Sequence, residues 1–356
     1  MYKAALAAVA LSLLIVVAGC MEMQEDRTGN LQSVGLPGVP IWKASKPEVT
    51  PQTQQLESAQ TAHSDWLTRL NQWRQLAGVR PVGENFNLSN GCRQHAQYLV
   101  DQIPPGLNDP GAFGLMIGGE AHHESPGRQG YTEEGAQAAT GGRHVQGVLQ
   151  AADVSWDQPD GSGDIDELFI VPFHRLSLLA PWAKVAGFGR AGTPPKTAAA
   201  LALRGPEADA ASATAVSFPS PSSTLPVAAM TYSEWPNPLT SCPGYLLPVG
   251  FPITLQLGEG RAAALQSASF ADETDNKPLE SCAFDAVTYR NPDPAQRAAA
   301  VHSLHTFGAV VLIPRQPLQN GHTYRVTMNI NGASDSWTFS VQTQQTAPIR
   351  TTASAP

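Results

Sequence analysis

Imidazole and carboxylate side chains are concentrated in two separate segments of the chain. The first contains His122, His123 and Glu124, with Glu134 shortly after it, and the second contains His174. These side chains ligate metals and transfer protons near neutral pH. All five are therefore candidate site residues, provided that the fold brings the two segments together.

Neither segment forms a complete local catalytic motif. His123 and Glu124 begin the zinc-protease pattern H-E-x-x-H, but the next histidine position is Gly127, and Pro126 would break the helix that the pattern requires. The sequence also has no G-x-S-x-G nucleophile elbow. A catalytic or metal site would have to be assembled from residues that are distant in the sequence.

Length, charge and composition set the broad class. The 356 residues suffice for two domains, and the formal net charge is −8. The chain has no run of Lys and Arg of the kind that releases counterions from nucleic acid, so a nucleic-acid partner is excluded. Charged residues make up only 15% of the sequence, whereas Gly (31) and Pro (30) are abundant, which is typical of modules joined by linkers.

The N-terminus predicts export and a lipid anchor. Lys3 precedes a short apolar run that is too brief to span a bilayer comfortably, and the run ends in Val17-Ala18-Gly19-Cys20. This ending resembles the lipobox of bacterial lipoproteins. The resemblance implies a signal peptide over 1–20, with cleavage before Cys20 and acylation of that cysteine; two or more acyl chains hold a protein stably on a membrane. The alternative is an ordinary signal peptide with a chance cysteine.

The same resemblance predicts the compartment. It implies a lipid-anchored protein of the bacterial cell envelope, with exposure at the cell surface as a further possibility. Met21 stands where Asp would favour retention in the inner membrane, so the outer membrane is favoured.

Composition and periodicity divide the rest of the chain. Helices are predicted after Ser64 and near Ser89, and a third from Asp164 to Leu179 with a break near Pro172. A segment rich in Ala, Pro and Ser predicts a linker between two domains. The predicted divisions are a flexible tether over 21–60, a first domain over 61–192, the linker over 193–229, a second domain over 230–345 and a disordered tail over 346–356.

The second domain has short strand-like runs bounded by turn residues such as Asn320-Gly321, which predicts a β-sandwich. Cys242 and Cys282 both lie in it, and an exported protein can join them in a disulfide. Cys92 and His95 instead lie on the apolar face of the second predicted helix. A buried thiol and a hydrogen-bonded core histidine are expected there.

A series of motifs between residues 64 and 192 resembles bacterial CAP-domain proteins, the superfamily of cysteine-rich secretory proteins, antigen 5 and plant pathogenesis-related protein 1. In order, the motifs are Leu70 to Val79, Leu88-Ser89, His95-Ala96, His122-x-Glu124, Tyr131-Thr132-x-x-Gly135, Pro172-Phe173-His174-Arg175 and Val185 to Gly189. The resemblance implies an α-β-α sandwich with a surface cleft.

In many relatives, two His and two Glu line that cleft and can bind a divalent metal. The resemblance assigns His174 to one histidine and His122 to the other, with His123 as the competing candidate. It thereby raises the possibility of zinc held by His122 and His174.

The carboxylates match the family less well. Many relatives carry Gly-Glu-Asn where this chain has Gly135-Ala136-Gln137, so Ala136 replaces one cleft glutamate. Glu124 and Glu134 are the candidates to stand in for it.

The C-terminal run from Ala309 to Phe339 resembles a bacterial Ig-like surface domain. The predicted fold class is therefore α+β, an α-β-α CAP sandwich followed by an all-β Ig-like sandwich.

Three functional hypotheses follow. The first is a non-enzymatic, lipid-anchored protein whose cleft binds a small molecule, a peptide or an envelope component. The second is a metal-dependent or acid–base hydrolase acting on cell-envelope or peptide substrates. The third is a structural surface module with a vestigial cleft. The absence of Glu at Ala136 favours the first and the third.

Overall fold

The computed structural model describes residues 23–25, 31–33, 65–144, 147–206 and 214–343. The whole predicted signal peptide with Cys20, most of the predicted tether, and the predicted tail lie outside these residues. The chain divides into two compact units, Met1–Gln55 and Leu56–Pro356. In the first unit, β1 (Met23–Glu25) pairs antiparallel with β2 (Leu31–Ser33). Within the described ranges, no helix is long and apolar enough to cross a membrane.

The first part of the second unit combines a six-stranded sheet with helices. Its strands are β3 (Gly83–Glu84), β4 (Gly142–His144), β5 (Gly147–Leu149), β6 (Asp153–Trp156), β7 (Val185–Thr193) and β8 (Lys196–Gly205). Its helices are α1 (65–76), α2 (Phe86–Gln102), α3 (Pro110–Ile117), the 3-10 helix η1 (Gly118–His122), α4 (Glu133–Thr140), α5 (Gly161–Ile170) and α6 (Pro172–Leu178). The strand order is β3-β7-β8-β5-β4, and β6 also pairs with β8.

Helices cover both faces of this sheet. On one face, Ala200 and Ala202 of β8 belong to the same apolar cluster as Cys92 of α2. On the other face, Leu201 and Leu203 belong to the large cluster that includes apolar residues of α1, α5 and α6. Successive residues of a strand point to opposite faces, so β8 is buried on both sides. The layers form the α-β-α arrangement that the resemblance implied.

The helix predictions agree with this arrangement except at one boundary. The predicted helix near Pro172 is present as α5 and α6, with Pro172 at the start of α6. Helix α2 begins at Phe86 rather than near Ser89, because the Asn85 side chain accepts a hydrogen bond from the Leu88 N–H and caps the helix earlier.

Part of the predicted linker is instead a central strand of the sheet. Residues 193–205 complete β7 and form β8, so the linker prediction is wrong for these residues. The composition is misleading because α2 packs closely against the strands. A side chain at Gly189 of β7, for example, would overlap the backbone of Arg93, so small residues are required there.

The second part of the unit is rich in strands. These are β9 (Val216–Phe218), β10 (Thr224–Leu225), β11 (Ala229–Met230), β12 (Val249–Gly250), β13 (Ile253–Gln256), β14 (Leu265–Asp272), β15 (Lys277–Leu279), β16 (Ser281–Phe284), β17 (Ala309–Pro314), β18 (Thr323–Ile330) and β19 (Ala333–Val341). They form a four-stranded sheet β16-β17-β13-β9, a five-stranded sheet β10-β19-β18-β14-β15 and the pair β11-β12. A 3-10 helix, η2 (Pro238–Ser241), and a helix, α7 (Pro294–Phe307), are also present, and α7 departs from the all-β expectation.

The two parts share one apolar core rather than two separate ones. Trp73 of α1 stacks on Phe169 of α5 at 5.4 Å and on Phe251, just before β13, at 6.5 Å between ring centroids. Gln256 of β13 donates to the Leu176 carbonyl of α6 at 2.9 Å. The first part therefore buries much of its apolar surface against the second.

The cysteines take the predicted states. Cys242 and Cys282 form a disulfide with their Cα atoms 5.6 Å apart. Cys92 is a buried free thiol, and burial raises its pKa to about 12. A thiol with such a pKa is inert as a nucleophile near neutral pH.

Candidate functional site

A cavity of about 320 Å³ lies between the helices α3, α5 and α6 and a segment of the second part. One wall consists of α3 and η1, and a second consists of β6, α5 and α6. The remaining wall is the segment 232–235, which precedes η2. The polar and aromatic side chains that line the cavity are Asp109, His122, Trp156, Glu167, His174, Tyr232, Ser233, Glu234 and Trp235.

His122 reaches this cavity from the end of η1. Its Nδ1 lies 2.8 Å from the Ala152 carbonyl oxygen, which can only accept, so Nδ1 carries the proton. Burial, with the charge of His174, lowers the pKa of His122, although Asp153 acts in the opposite direction. The ring is therefore neutral near pH 7, and its Nε2 is left with a lone pair.

The Asp153 carboxylate binds the His174 ring. The ring Nδ1 lies 2.9 Å from Asp153 Oδ1, and the Ser177 hydroxyl donates to the other oxygen of Asp153. Burial by itself would lower the pKa of His174, but the hydrogen bond and charge of Asp153, with the charges of Glu234 and Glu167, raise it to about 9. His174 is therefore an imidazolium at neutral pH.

Glu234 fixes the start of the helix that carries His174. No side chain within α6 caps its N-terminus. The Phe173 and His174 N–H groups instead donate to Glu234 Oε1 and Oε2 at 2.8 and 3.0 Å. Burial raises the pKa of Glu234 to about 7 despite the nearby charge of His174, whose Nε2 lies 4.0 Å from Oε2. The second part of the chain thus supplies both an acceptor for α6 and a titrating group for the cavity.

Glu167 is a second cavity carboxylate with a raised pKa. Its Oε2 accepts from the Ser155 hydroxyl at 2.5 Å and from the Trp156 N–H at 3.2 Å. Burial raises the pKa of Glu167, and these uncharged donors only partly offset that effect. The Tyr232 hydroxyl donates to the Glu167 backbone carbonyl at 2.8 Å and ties the segment 232–235 to α5.

Two indole rings pack against glycine positions of α3 and η1. A side chain at Gly114 would overlap the indole of Trp156, and one at Gly118 would overlap the indole of Trp235. Gly118 also has φ +48°, which favours glycine. These glycines let both rings approach the helix backbone, and both rings line the cavity.

Two of the five predicted site residues line the cavity, and three do not. His122 and His174 both line the cavity, whereas His123 and Glu134 are exposed and do not line it. Glu124 is buried, with Oε1 3.0 Å from His95 Nδ1, and its Oε2 accepts from the Thr132 N–H at 3.1 Å.

Glu124 therefore joins α2 to the start of α4 and does not reach the cavity. His95 is the predicted core histidine, since its Nε2 also lies 2.7 Å from the Ala121 carbonyl oxygen. Neither Glu124 nor Glu134 replaces the glutamate that is missing at Ala136.

The three acidic residues that raise the pKa of His174 have no counterpart among the predicted site residues: Asp153, Glu167 and Glu234. Asp153 and Glu167 lie in ordinary strand and helix sequence, and Glu234 lies in what was predicted to be another domain. The only local signal is that Glu167 lies two helical turns before His174 within one predicted helical segment. Nothing in the sequence near Glu234 indicates that it contacts α6.

The cavity residues do not fit a metal as they are arranged. Among the described residues, the one group of three or more His, Cys, Asp or Glu side chains whose ligand atoms lie within 4.8 Å of one another is Asp272, Asp275 and His322 in the second part. The Asp272 carboxylate already accepts from His322 Nδ1 at 2.8 Å and from the Asp275 N–H at 3.1 Å. These hydrogen bonds explain why the three side chains lie close together.

Residues 67–201 match the family model described as CAP, the Cysteine-rich secretory protein family. This part of the chain is a CAP domain. No curated protein matches the chain. The match ends at Leu201 within β8, so the CAP domain extends beyond residue 192. The cavity therefore has two walls from the CAP domain and one, the segment 232–235, from the residues that follow it.

We expect the CAP-domain cavity to make stability fall as the pH rises. The pKa of His174 is raised from 6.5 to about 9, so its contribution is fully present below pH 6.5 and is lost as the pH rises through 9. At ~1.4 kcal/mol for each tenfold change in proton affinity, the contribution is roughly 3 kcal/mol. The pKa of Glu234 is raised from 4.5 to about 7 in the folded protein, so Glu234 also makes stability fall as the pH rises from 4.5 to 7.

Urea unfolding between pH 6 and 9 measures this effect. His174→Gln should reduce the fall in the free energy of unfolding with rising pH. His302→Gln, at an exposed position of α7, should leave that fall unchanged. An equally steep decline in the His174→Gln variant would contradict the assignment of the raised pKa to His174.

Proposed function

We propose that this protein is a lipid-anchored, extracytoplasmic binding protein of the bacterial cell envelope, and that its CAP-domain cavity holds a small ligand. The observation that supports ligand binding is the cavity itself. Its volume of about 320 Å³ lies at the lower end of the range for small-molecule sites, and its mixture of aromatic walls with a few polar groups is typical of such sites.

The positions of the polar groups favour binding over a vestigial cleft. Asp153 and Ser177 brace His174, and Ala152 fixes the tautomer of His122. A cleft without a role would have no need for two oriented imidazoles at its wall. The hydrogen bonds pre-organise both rings, which lowers the entropic cost of binding.

A fragment panel tests ligand binding. Leu115 lines the cavity and is 53% exposed, so Leu115→Trp should obstruct the entrance without disturbing buried packing. Its neighbour Met116 is 72% exposed and does not line the cavity, so Met116→Trp is the matched control. Ligand-observed NMR should reveal compounds that bind the parent protein and Met116→Trp but not Leu115→Trp. If no compound in a panel of cations, neutral molecules and anions behaves in this way, the proposed binding function is wrong.

The lipid anchor has its own test. The support is the sequence Val17-Ala18-Gly19-Cys20, which resembles a lipobox. Metabolic labelling with a fatty-acid analogue in a bacterial host should mark the parent protein and the Cys92→Ala variant. Labelling that persists in Cys20→Ala would contradict acylation at that cysteine.

A second candidate function is acid–base hydrolysis of a cell-envelope or peptide bond. It is favoured by one observation: the imidazolium His174 and the titrating Glu234 lie 4.0 Å apart at the wall of a cavity that also exposes neutral His122. Groups whose pKa values lie near the working pH suit proton transfer. Turnover of peptidoglycan or peptide substrates that is lost in Leu115→Trp and kept in Met116→Trp would favour hydrolysis over binding alone.

A further inference from the structure

The charges that line the cavity are unbalanced. Asp109, Glu167 and Glu234 contribute carboxyl groups, whereas none of the described lining residues is Lys or Arg. The imidazolium of His174 is paired with Asp153 beneath it at 2.9 Å. The cavity therefore has an excess of negative charge when its carboxyl groups are ionised.

The neighbouring cation is directed away from the cavity wall. Arg175 donates to the backbone carbonyls of Phe169 and Pro252 at 2.8 and 2.6 Å. Its guanidinium lies over the rings of Phe218 and Phe251, in the core that the CAP domain shares with the second part. It reduces the burial penalty of Glu234 but does not line the cavity.

Aromatic faces accompany this negative charge. Trp156 and Trp235 pack on the glycine positions of α3 and η1, and Tyr232 lies beside Glu167 through its hydrogen bond to the backbone. All three line the cavity. Aromatic rings attract cations through their quadrupole, and the attraction grows when the site is shielded from water.

We propose that the cavity binds the ammonium group of a small organic amine, with Glu167 and Glu234 as its anionic partners and the indoles of Trp156 and Trp235 around its apolar body. This inference rests on the proposed binding function and names its ligand class. A cation restores the missing charge balance, whereas an anion would add to the repulsion between the carboxylates. A neutral molecule would not reduce the burial penalty of the two carboxylates, which the charge of His174 offsets only in part.

An isosteric ligand series tests the charge preference. The probes are 2-phenylethylamine, 2-phenylethanol and 3-phenylpropanoate, which present a cation, a neutral hydroxyl and an anion on the same ring and chain. Calorimetry at pH 8 and low salt should show the amine binding at least tenfold more tightly than the alcohol and the acid. The inference is overturned if the alcohol or the acid binds within threefold of the amine.

Glu167→Gln is the sharpest variant. The hydrogen bonds from Ser155 and Trp156 both fall on Oε2 of Glu167, so a Gln carbonyl oxygen can accept them while the negative charge is removed. We expect it to weaken amine binding at least tenfold and to leave alcohol binding within twofold. Glu134→Gln removes the same charge from an exposed position outside the cavity and should change neither. Equal amine binding by the Glu167→Gln and parent proteins would overturn the proposal.

Glu234 provides a pH readout. Its pKa of about 7 means that amine affinity should rise between pH 6 and 8 as Glu234 ionises, and the raised pKa of Glu167 acts in the same direction. The amine stays protonated over this range, as does His174 with its pKa of about 9. The other groups that interact with Glu234 also keep their charge, since they are Arg175, Tyr232 and Tyr289.

The two variants at α3 separate this inference from the proposed function. Amine binding should be lost in Leu115→Trp and kept in Met116→Trp. If the fragment panel instead finds only neutral or anionic compounds that depend on Leu115, the binding function stands and the amine inference falls. An amine affinity that does not change from pH 6 to 8 would also count against the roles of Glu167 and Glu234.

Discussion

A chain that ends at residue 206 is expected not to fold into a stable CAP domain, although it contains every residue of the family match. Ending there removes Phe218 and Phe251 from the rings around Trp73, at centroid distances of 6.1 and 6.5 Å. It also removes Glu234, the acceptor of the hydrogen bonds that the Phe173 and His174 N–H groups donate at the start of α6. A fully buried Trp73 would then face water, and apolar burial is the main driving force for folding.

The matched control is the compact unit Leu56–Pro356, which retains the whole shared core. We expect this unit to unfold cooperatively in urea with a sharp loss of near-UV circular dichroism. The shorter chain should lack that transition and bind a hydrophobic dye. A cooperative transition of the 206-residue chain at a similar urea concentration would show that the CAP domain is autonomous.

Replacement of Arg175 by Met is expected to lower the free energy of unfolding by about 3–5 kcal/mol. Arg175 is fully buried and donates to the carbonyl oxygens of Phe169 and Pro252, which belong to the CAP domain and to the residues before β13. Met keeps much of the side-chain volume but donates no hydrogen bond. Two buried carbonyl groups then lose a donor, at about 1–3 kcal/mol each, and the contacts with the rings of Phe218 and Phe251 lose their charge.

Removing the charge of Arg175 also has a stabilising effect, which opposes the loss of its hydrogen bonds. Replacing a buried charge by a well-packed apolar group can be neutral or stabilising, because a desolvation penalty is removed. We expect the lost donors to prevail here, since Met cannot satisfy either carbonyl. Arg325→Met is the control, because Arg325 is half exposed and its pair with Glu273 at 2.7 Å is screened by solvent, so its loss should leave the urea midpoint nearly unchanged. Equal midpoints in urea for Arg175→Met and the parent protein would contradict the structural role of Arg175.

The sequence predicted the elements better than the site. The break at Pro172, the disulfide of Cys242 with Cys282, and the core position of His95 all depend on local chemistry or on a helical face, and all are present. The linker prediction failed for β8 because the composition of an alanine-rich strand resembles that of a linker rich in Ala, Pro and Ser. In the folded chain, Ala200 and Ala202 of β8 belong to the same apolar cluster as Leu88 and Cys92 of α2.

The site predictions failed where neighbours in space decide a role. Glu124 lies two residues from His122, yet it faces His95 and the start of α4. Glu234 lies sixty positions beyond His174, yet it bonds to that residue's own N–H. No periodicity or motif relates such pairs, because the fold alone brings them within hydrogen-bonding distance.

The sequence by itself determined the CAP family resemblance, the pairing of Cys242 with Cys282, and His174 as a cleft residue, because each is encoded in residue type and order. It left His122 and His123 as alternatives for the other cleft histidine. The tertiary structure decided which acids accompany the cleft histidines. It placed Glu167 and Glu234 at the cavity, with Glu234 on a segment outside the CAP match. Charge balance and pKa values depend on burial and on distances between atoms, and these quantities exist only once the chain has folded.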